Sequence, residues 1–161
     1  MNRKKFRNLL LILMMLLPSL TFGQSKNQER DKKIFLKQSD ACLEAMASAA
    51  GEMSLKGACV MAYIPGVVAD TWVSKMRVVG ALQNGSANFL AIAYTKASEM
   101  ADTFKESGSG VREPVHGEFG YQGGVITKID SGYILAVFSG GSGEQDVEIA
   151  RKGLDLLSSY Y

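Results

Sequence analysis

Several of the residues that carry protein chemistry are scarce in this chain. Its 161 residues include one histidine, His116, one tryptophan, two cysteines and three prolines. With a single imidazole and no nucleophile beside a base, a hydrolytic triad cannot be assembled. The longest apolar run, Leu9 to Leu17, falls short of the ~20 residues that span a bilayer. No cysteine follows it closely, so a lipid anchor is not expected. Neither a lysine-bearing phosphate loop nor GxGxxG occurs, and no internal repeat is found.

What the N-terminus does hold is a secretion pattern. Arg3, Lys4, Lys5 and Arg7 precede the apolar run, and Pro18 and a small-residue zone ending at Gly23 follow it. Residues 1–23 are therefore expected to be a signal peptide, cut ahead of Gln24, with an uncleaved anchor as the alternative. The protein is expected to be exported, periplasmic or secreted, without a stable membrane anchor after cleavage. Cleavage removes four basic and no acidic residues. The formal net charge of +2 then becomes about −2, fourteen basic against sixteen acidic residues. No basic patch for nucleic acid remains. Cys42 and Cys59 could pair in an oxidising compartment or stay as two buried thiols, and the spacing leaves both open.

The rest of the chain reads as one domain. Residues 24–37 form a polar leader, mobile up to Lys33, and the domain proper covers 38–161. A helix is predicted from about Asp40 to Met53, capped by Ser39 or Asp40, with Leu43, Met46, Ala47 and Ala50 on its buried stripe. Ala58 to Ile64 is apolar throughout, as for a strand covered on both faces. A second strand, Val68 to Val79, lies nearer an edge. A helix from about Asn88 to Lys105 follows, then a long glycine-rich loop, Ser107 to Gln122. The second hairpin pairs Val125–Ile129 with Tyr133–Ser139. Ser142 and Gln145 form a capping box for the final helix. This order predicts an α+β fold, an antiparallel sheet carrying helices.

The run Gly123-Gly124-Val125-Ile126-Thr127, the hairpin, and the strand ending Ser139-Gly140-Gly141-Ser142-Gly143-Glu144-Gln145-Asp146 resemble the GlcG/HbpS-type, DUF336-like family of small haem-binding proteins. Ile92 to Ala97 sits where that family has its lysine-alanine helix, and the resemblance covers Asp40 to the C-terminus. It implies a profilin-like antiparallel sheet of about five strands, the fifth drawn from the long loop. It also implies haem as cofactor and a homo-oligomer as the assembly. The implied cofactor-binding residues are His116, as candidate iron ligand, with Tyr121, Gly123, Gly124, Ser139, Gly140 and Gly141. Tyr94, Tyr121 or a methionine stands in if His116 does not ligate. Three departures from the pattern occur. Ile126 stands where the family writes proline, Ile134 and Val137 replace glycines, and Ala62-Tyr63-Ile64-Pro65-Gly66 lacks an aspartate. The added side chains are expected to fill space that a flat cofactor would use.

Other candidates are weaker. Glu144 and Asp146 in the first turn of the last helix already use its positive end, which argues against a phosphate there. Glu99, Asp102 and Glu106 share one face of the second predicted helix and could hold a hard cation, with Lys96 and Lys105 close enough to compensate. The methionines outside the signal peptide fall at core spacing. The leading expectation is a non-enzymatic tetrapyrrole-binding protein. The alternatives are a ligand-free oligomeric module or a corrinoid-linked accessory protein.

Overall fold

The computed structural model describes the backbone of residues 3–161 and the side chains of residues 26–161. The predicted signal peptide, residues 1–23, lies outside the residues whose side chains are described. Helix α1 (Arg3–Glu52) is followed by strands β1 (Gly57–Pro65) and β2 (Val73–Val79), helix α2 (Phe89–Thr103), strands β3 (Gly124–Ile129) and β4 (Gly132–Ser139), and helix α3 (Gly143–Ser158). The four strands form one antiparallel sheet in the order β2-β1-β4-β3, with the two hairpins joined through β1 and β4.

Helices cover both faces of the central pair, which explains why β1 is apolar at every position. Cys59, Met61 and Tyr63 of β1, with Ile134, Ala136 and Phe138 of β4, pack against α1 and α3. Ala58, Val60, Ala62 and Ile64, with Leu135 and Val137, pack against α2. The register puts Cys59 opposite Phe138 and Val60 opposite Val137, so each face meets its own helical layer. Alanines on both sides, Ala58 and Ala62 against Ala93 and Ala97, make the α2 contact. Cys42 and Cys59 are buried free thiols, and burial pushes the Cys59 thiol up to about 12.

The sheet has four strands where the family resemblance implied about five. The segment expected to supply the fifth, residues 107–122, forms no strand. Gly108, Gly110, Gly117 and Gly120 all take left-handed backbone there, which breaks any extended run. The second strand starts at Val73 instead of Val68. Its pairing with β1 ends at Tyr63 opposite Val73, and beyond it Gly66 N–H donates to the Ser131 carbonyl, turning the chain away.

The expected mobile leader is helical. Residues 26–37 continue α1, and the cap expected at Ser39 or Asp40 lies mid-helix. Asp31, Phe35, Ser39, Cys42 and Met46 are all buried, at spacings of three and four, so one stripe runs through the segment. The Asp31 carboxylate is 1% exposed and accepts a hydrogen bond from Ser131 Oγ at 2.6 Å. Ser131 Oγ in turn lies 2.8 Å from the Tyr63 hydroxyl, while Tyr161 donates to the Asp31 carbonyl at 3.1 Å. The middle of α1 is thereby locked to the β3–β4 turn, the end of β1 and the C-terminus. Replacing Asp31 with Ala removes a buried charged acceptor. Chemical denaturation is expected to show a loss of about 1.5–3 kcal/mol, whereas a freely moving leader would show none.

Candidate functional site

The two ends of the glycine signature meet at one corner of the molecule, where β4 runs into α3 beneath the middle of α2. The final helix starts with the predicted cap. Gln145 N–H donates to Ser142 Oγ at 3.3 Å, and Ser142 N–H donates to Gln145 Oε1 at 3.0 Å. Below this turn lies a buried ion pair. Lys96 Nζ is 2.7 Å from Asp146 Oδ2 and donates to the Phe138 carbonyl at 3.0 Å. The other carboxylate oxygen of Asp146 accepts from Gly141 N–H at 2.8 Å. Both side chains are nearly sealed from solvent, at 3% and 5% exposure. Burial pushes the Lys96 ammonium down and the Asp146 carboxyl up, and their mutual attraction opposes both shifts.

Lys96 is the residue that the sequence reading misplaces, treating it as a surface charge beside an acidic cluster. The signal was present. Phe89, Ala93, Lys96, Ala97, Glu99 and Met100 are the buried positions of α2, and Lys96 is the one cation among them. The acidic cluster itself does not form. Glu99 is buried and accepts from Gly108 N–H at 2.9 Å. Asp102 pairs with Arg112 at 2.7 Å and Glu106 with Arg151 at 3.1 Å. The helix ends at Thr103, and Phe104 turns left-handed, so Glu106 never shares a helical face with the other two. Among the described residues, no three His, Cys, Asp or Glu side chains converge on a metal-sized point.

The signature glycines are packing residues. A Cβ on Gly140 would fall on the Lys56 carbonyl oxygen, and one on Gly123 on Lys96 Nζ, with the Phe138 carbonyl close behind. Gly123 also has a φ of +128°, a conformation that L-residues avoid. Gly124 sits against the Met100 side chain. Ser139 is buried at the end of β4. These residues let the strand ends, α2 and α3 close around the ion pair.

Above the pair opens a cleft of about 490 Å³, within the range of small-molecule sites. Ser139, Gly140 and Gly141 line one side of it, and Phe89, Ile92 and Asn84 another, while Tyr121 and Gln122 come from the long loop. Of the expected cofactor-binding residues, the structure thus brings Tyr121, Ser139, Gly140 and Gly141 together at one cavity. Gly123 and Gly124 support it from behind. His116 does not line it. That side chain is exposed at the tip of a turn held by Glu118, which accepts from Val115 N–H at 3.1 Å and pairs with Arg112 at 2.7 Å. Tyr94 lies elsewhere, its hydroxyl 3.1 Å from Ser74 Oγ.

The residues around this cleft do not fit haem. Among the described residues no His, Cys or Met lines it, which leaves the Tyr121 phenol as the one described group of a kind that ligates haem iron. The propionates of the macrocycle would meet Glu144, with the cation of Lys96 already taken by Asp146. The side chains that replace family glycines do not block the cleft either. Ile134 points into the α1/α3 core and Val137 into the α2 core, and neither reaches the cavity.

No family model and no curated protein matches the chain. Among solved structures three chains match. One is the crystal structure of Klebsiella pneumoniae protein ORFY, of the DUF336 family, with a TM-score of 0.52 and 15% sequence identity. The alignment covers 74% of this chain and 89% of that chain. The chain has a DUF336-like fold. At this identity the likeness concerns architecture, an α+β sheet with helices on both faces, and says nothing about a ligand.

Removing one partner of the buried pair leaves the other charge uncompensated. Lys96→Met is expected to cost about 3–5 kcal/mol. The double variant Lys96→Met/Asp146→Leu should regain the larger part, because two apolar groups replace two desolvated charges. Equilibrium denaturation of the two single variants and the double variant checks this, and strictly additive losses would show that the two groups are not coupled.

Proposed function

We propose that this is an exported, non-enzymatic binding protein that takes a small molecule in the cleft between the glycine loop, α2 and residues 120–122. The observation that carries the reading is the convergence at one cavity of four residues singled out by sequence, over a fixed ionic floor. Export is supported by the charge and hydropathy pattern of residues 3–23.

A binding role fits the state of the titratable groups at the cavity better than a catalytic one. Lys96 and Asp146 satisfy each other, and Glu144 accepts from Ser142 Oγ at 2.9 Å. The Ser142 hydroxyl beside Glu144 is engaged as the helix cap by Gln145 N–H, and His116 does not reach it. The ligand-free oligomeric module, which the filled glycine positions favoured, loses that support, because Ile134 and Val137 occupy the cores and leave the cleft open.

A test is to equilibrate the purified protein with a small-molecule extract of the source cells and read retained masses by native mass spectrometry. The wild type should hold a non-covalent adduct that Ala87→Trp, which places an indole in the cleft, fails to hold. Equal retention by both variants, or none by either, would contradict the proposal. A hemin titration provides the control. A saturable Soret shift abolished by His116→Ala would move the site away from this cleft and restore the haem reading.

A further inference from the structure

The charge inventory of the cleft points to the kind of molecule it takes, an inference that rests on the binding reading above. Its lining holds one cation, Lys96, and two carboxylates, Asp146 and Glu144. Lys96 and Asp146 cancel each other, and both are sealed beneath the floor. Glu144 is exposed at the start of α3 and makes no ion pair among the described residues; its contact is the Ser142 hydroxyl.

Three of the backbone donors that would greet an anion at this turn are already engaged by the chain. Gly141 N–H donates to Asp146, Ser142 N–H to the Gln145 amide, and Gln145 N–H to Ser142 Oγ. An incoming carboxylate or phosphate would find no free cation among the described residues, three of the turn amides occupied and a facing carboxylate. An incoming ammonium would find Glu144, the amide oxygen of Gln122, and an aromatic wall. That wall is Tyr121, 54% exposed and stacked on Phe119 with ring centroids 5.2 Å apart and planes at 14°. A half-exposed phenol face of this kind attracts cations as well as flat apolar groups. Phe89 and Ile92 supply apolar surface deeper in.

We infer that the cleft binds a small organic cation, an amine carrying an aromatic or aliphatic body, with Glu144 as its counter-charge and Tyr121 as its platform. An anionic macrocycle is the opposite of what this lining favours.

The experiment uses two probes of similar shape and opposite charge, 2-phenylethylammonium and phenylacetate, titrated into the ¹⁵N-labelled full chain. Amide shifts of Gln122, Gly143 and Glu144 are followed. The ammonium is expected to give saturable shifts at these positions and phenylacetate none. Glu144→Gln should weaken the ammonium about fivefold, the size of one partly exposed charge contact, while the rest of the spectrum stays in place. Shifts by phenylacetate as large as those by the ammonium, or an unchanged affinity in Glu144→Gln, would overturn the assigned ligand class but leave the cleft as a binding site. Silence of these amides toward both probes would overturn the class, and if Ala87→Trp also retains the adduct held by the wild type, the binding reading fails with it.

Discussion

A lysine and an aspartate withdrawn from water tie the middle of α2 to the junction of β4 and α3. Lys96 projects from the middle of α2, Asp146 from the first turn of α3, and the Phe138 carbonyl between them closes β4. Leaving either charge unpaired at that depth is costly, so the two helices and the strand end have one acceptable relative placement. The glycine-rich stretches on both sides of the hairpin follow from this. Gly123 has no Cβ because the ammonium occupies that place, and Gly140 has none because the backbone at Lys56 passes there. What looks in the sequence like a ligand cradle is first a device for bringing backbone up to a buried salt bridge.

That arrangement also shapes the cavity above it. With the ion pair sealed, its two charges cancel at the floor of the cleft, and three of the turn amides are engaged by Asp146, Ser142 and Gln145. Its remaining character comes from the rim, where Glu144 and Tyr121 face solvent. The family resemblance suggested a site for an iron macrocycle, yet the imidazole that would serve it stands at an exposed turn. The turn is fixed by Arg112, which bridges Asp102 and Glu118. Architecture and ligand preference are separable here, as expected when one fold hosts different sites.

Much of the architecture could be read from periodicity and punctuation. The unbroken apolar run of β1 announced a strand covered on both faces, and Ser142 with Gln145 announced the start of α3. Hidden features were those in which a polar residue occupies a buried position. Asp31 and Ser39 interrupt the apolar stripe of α1, so the helix was expected to begin at residue 40 and the segment before it to be mobile. Lys96 and Glu99 interrupt the stripe of α2 in the same way, and in the sequence they read as surface charge. The partners of Lys96 and Asp31, Asp146 and Ser131, lie 50 and 100 residues away along the chain, where no local pattern can reveal them. For the cleft, the glycine loop and Tyr121 were legible, while the ionic floor beneath them was not.

The most direct measurement is a ¹⁵N-detected spectrum of the lysine side chains at neutral pH. Lys96, caught between the Asp146 carboxylate and the Phe138 carbonyl, should give an ammonium resonance whose protons exchange with water far more slowly than those of the exposed lysines. The resonance should vanish in Lys96→Met. If every lysine ammonium exchanges at the rate of a solvated one, the buried pair does not exist, and the account of the glycine signature and of the cleft above it is wrong.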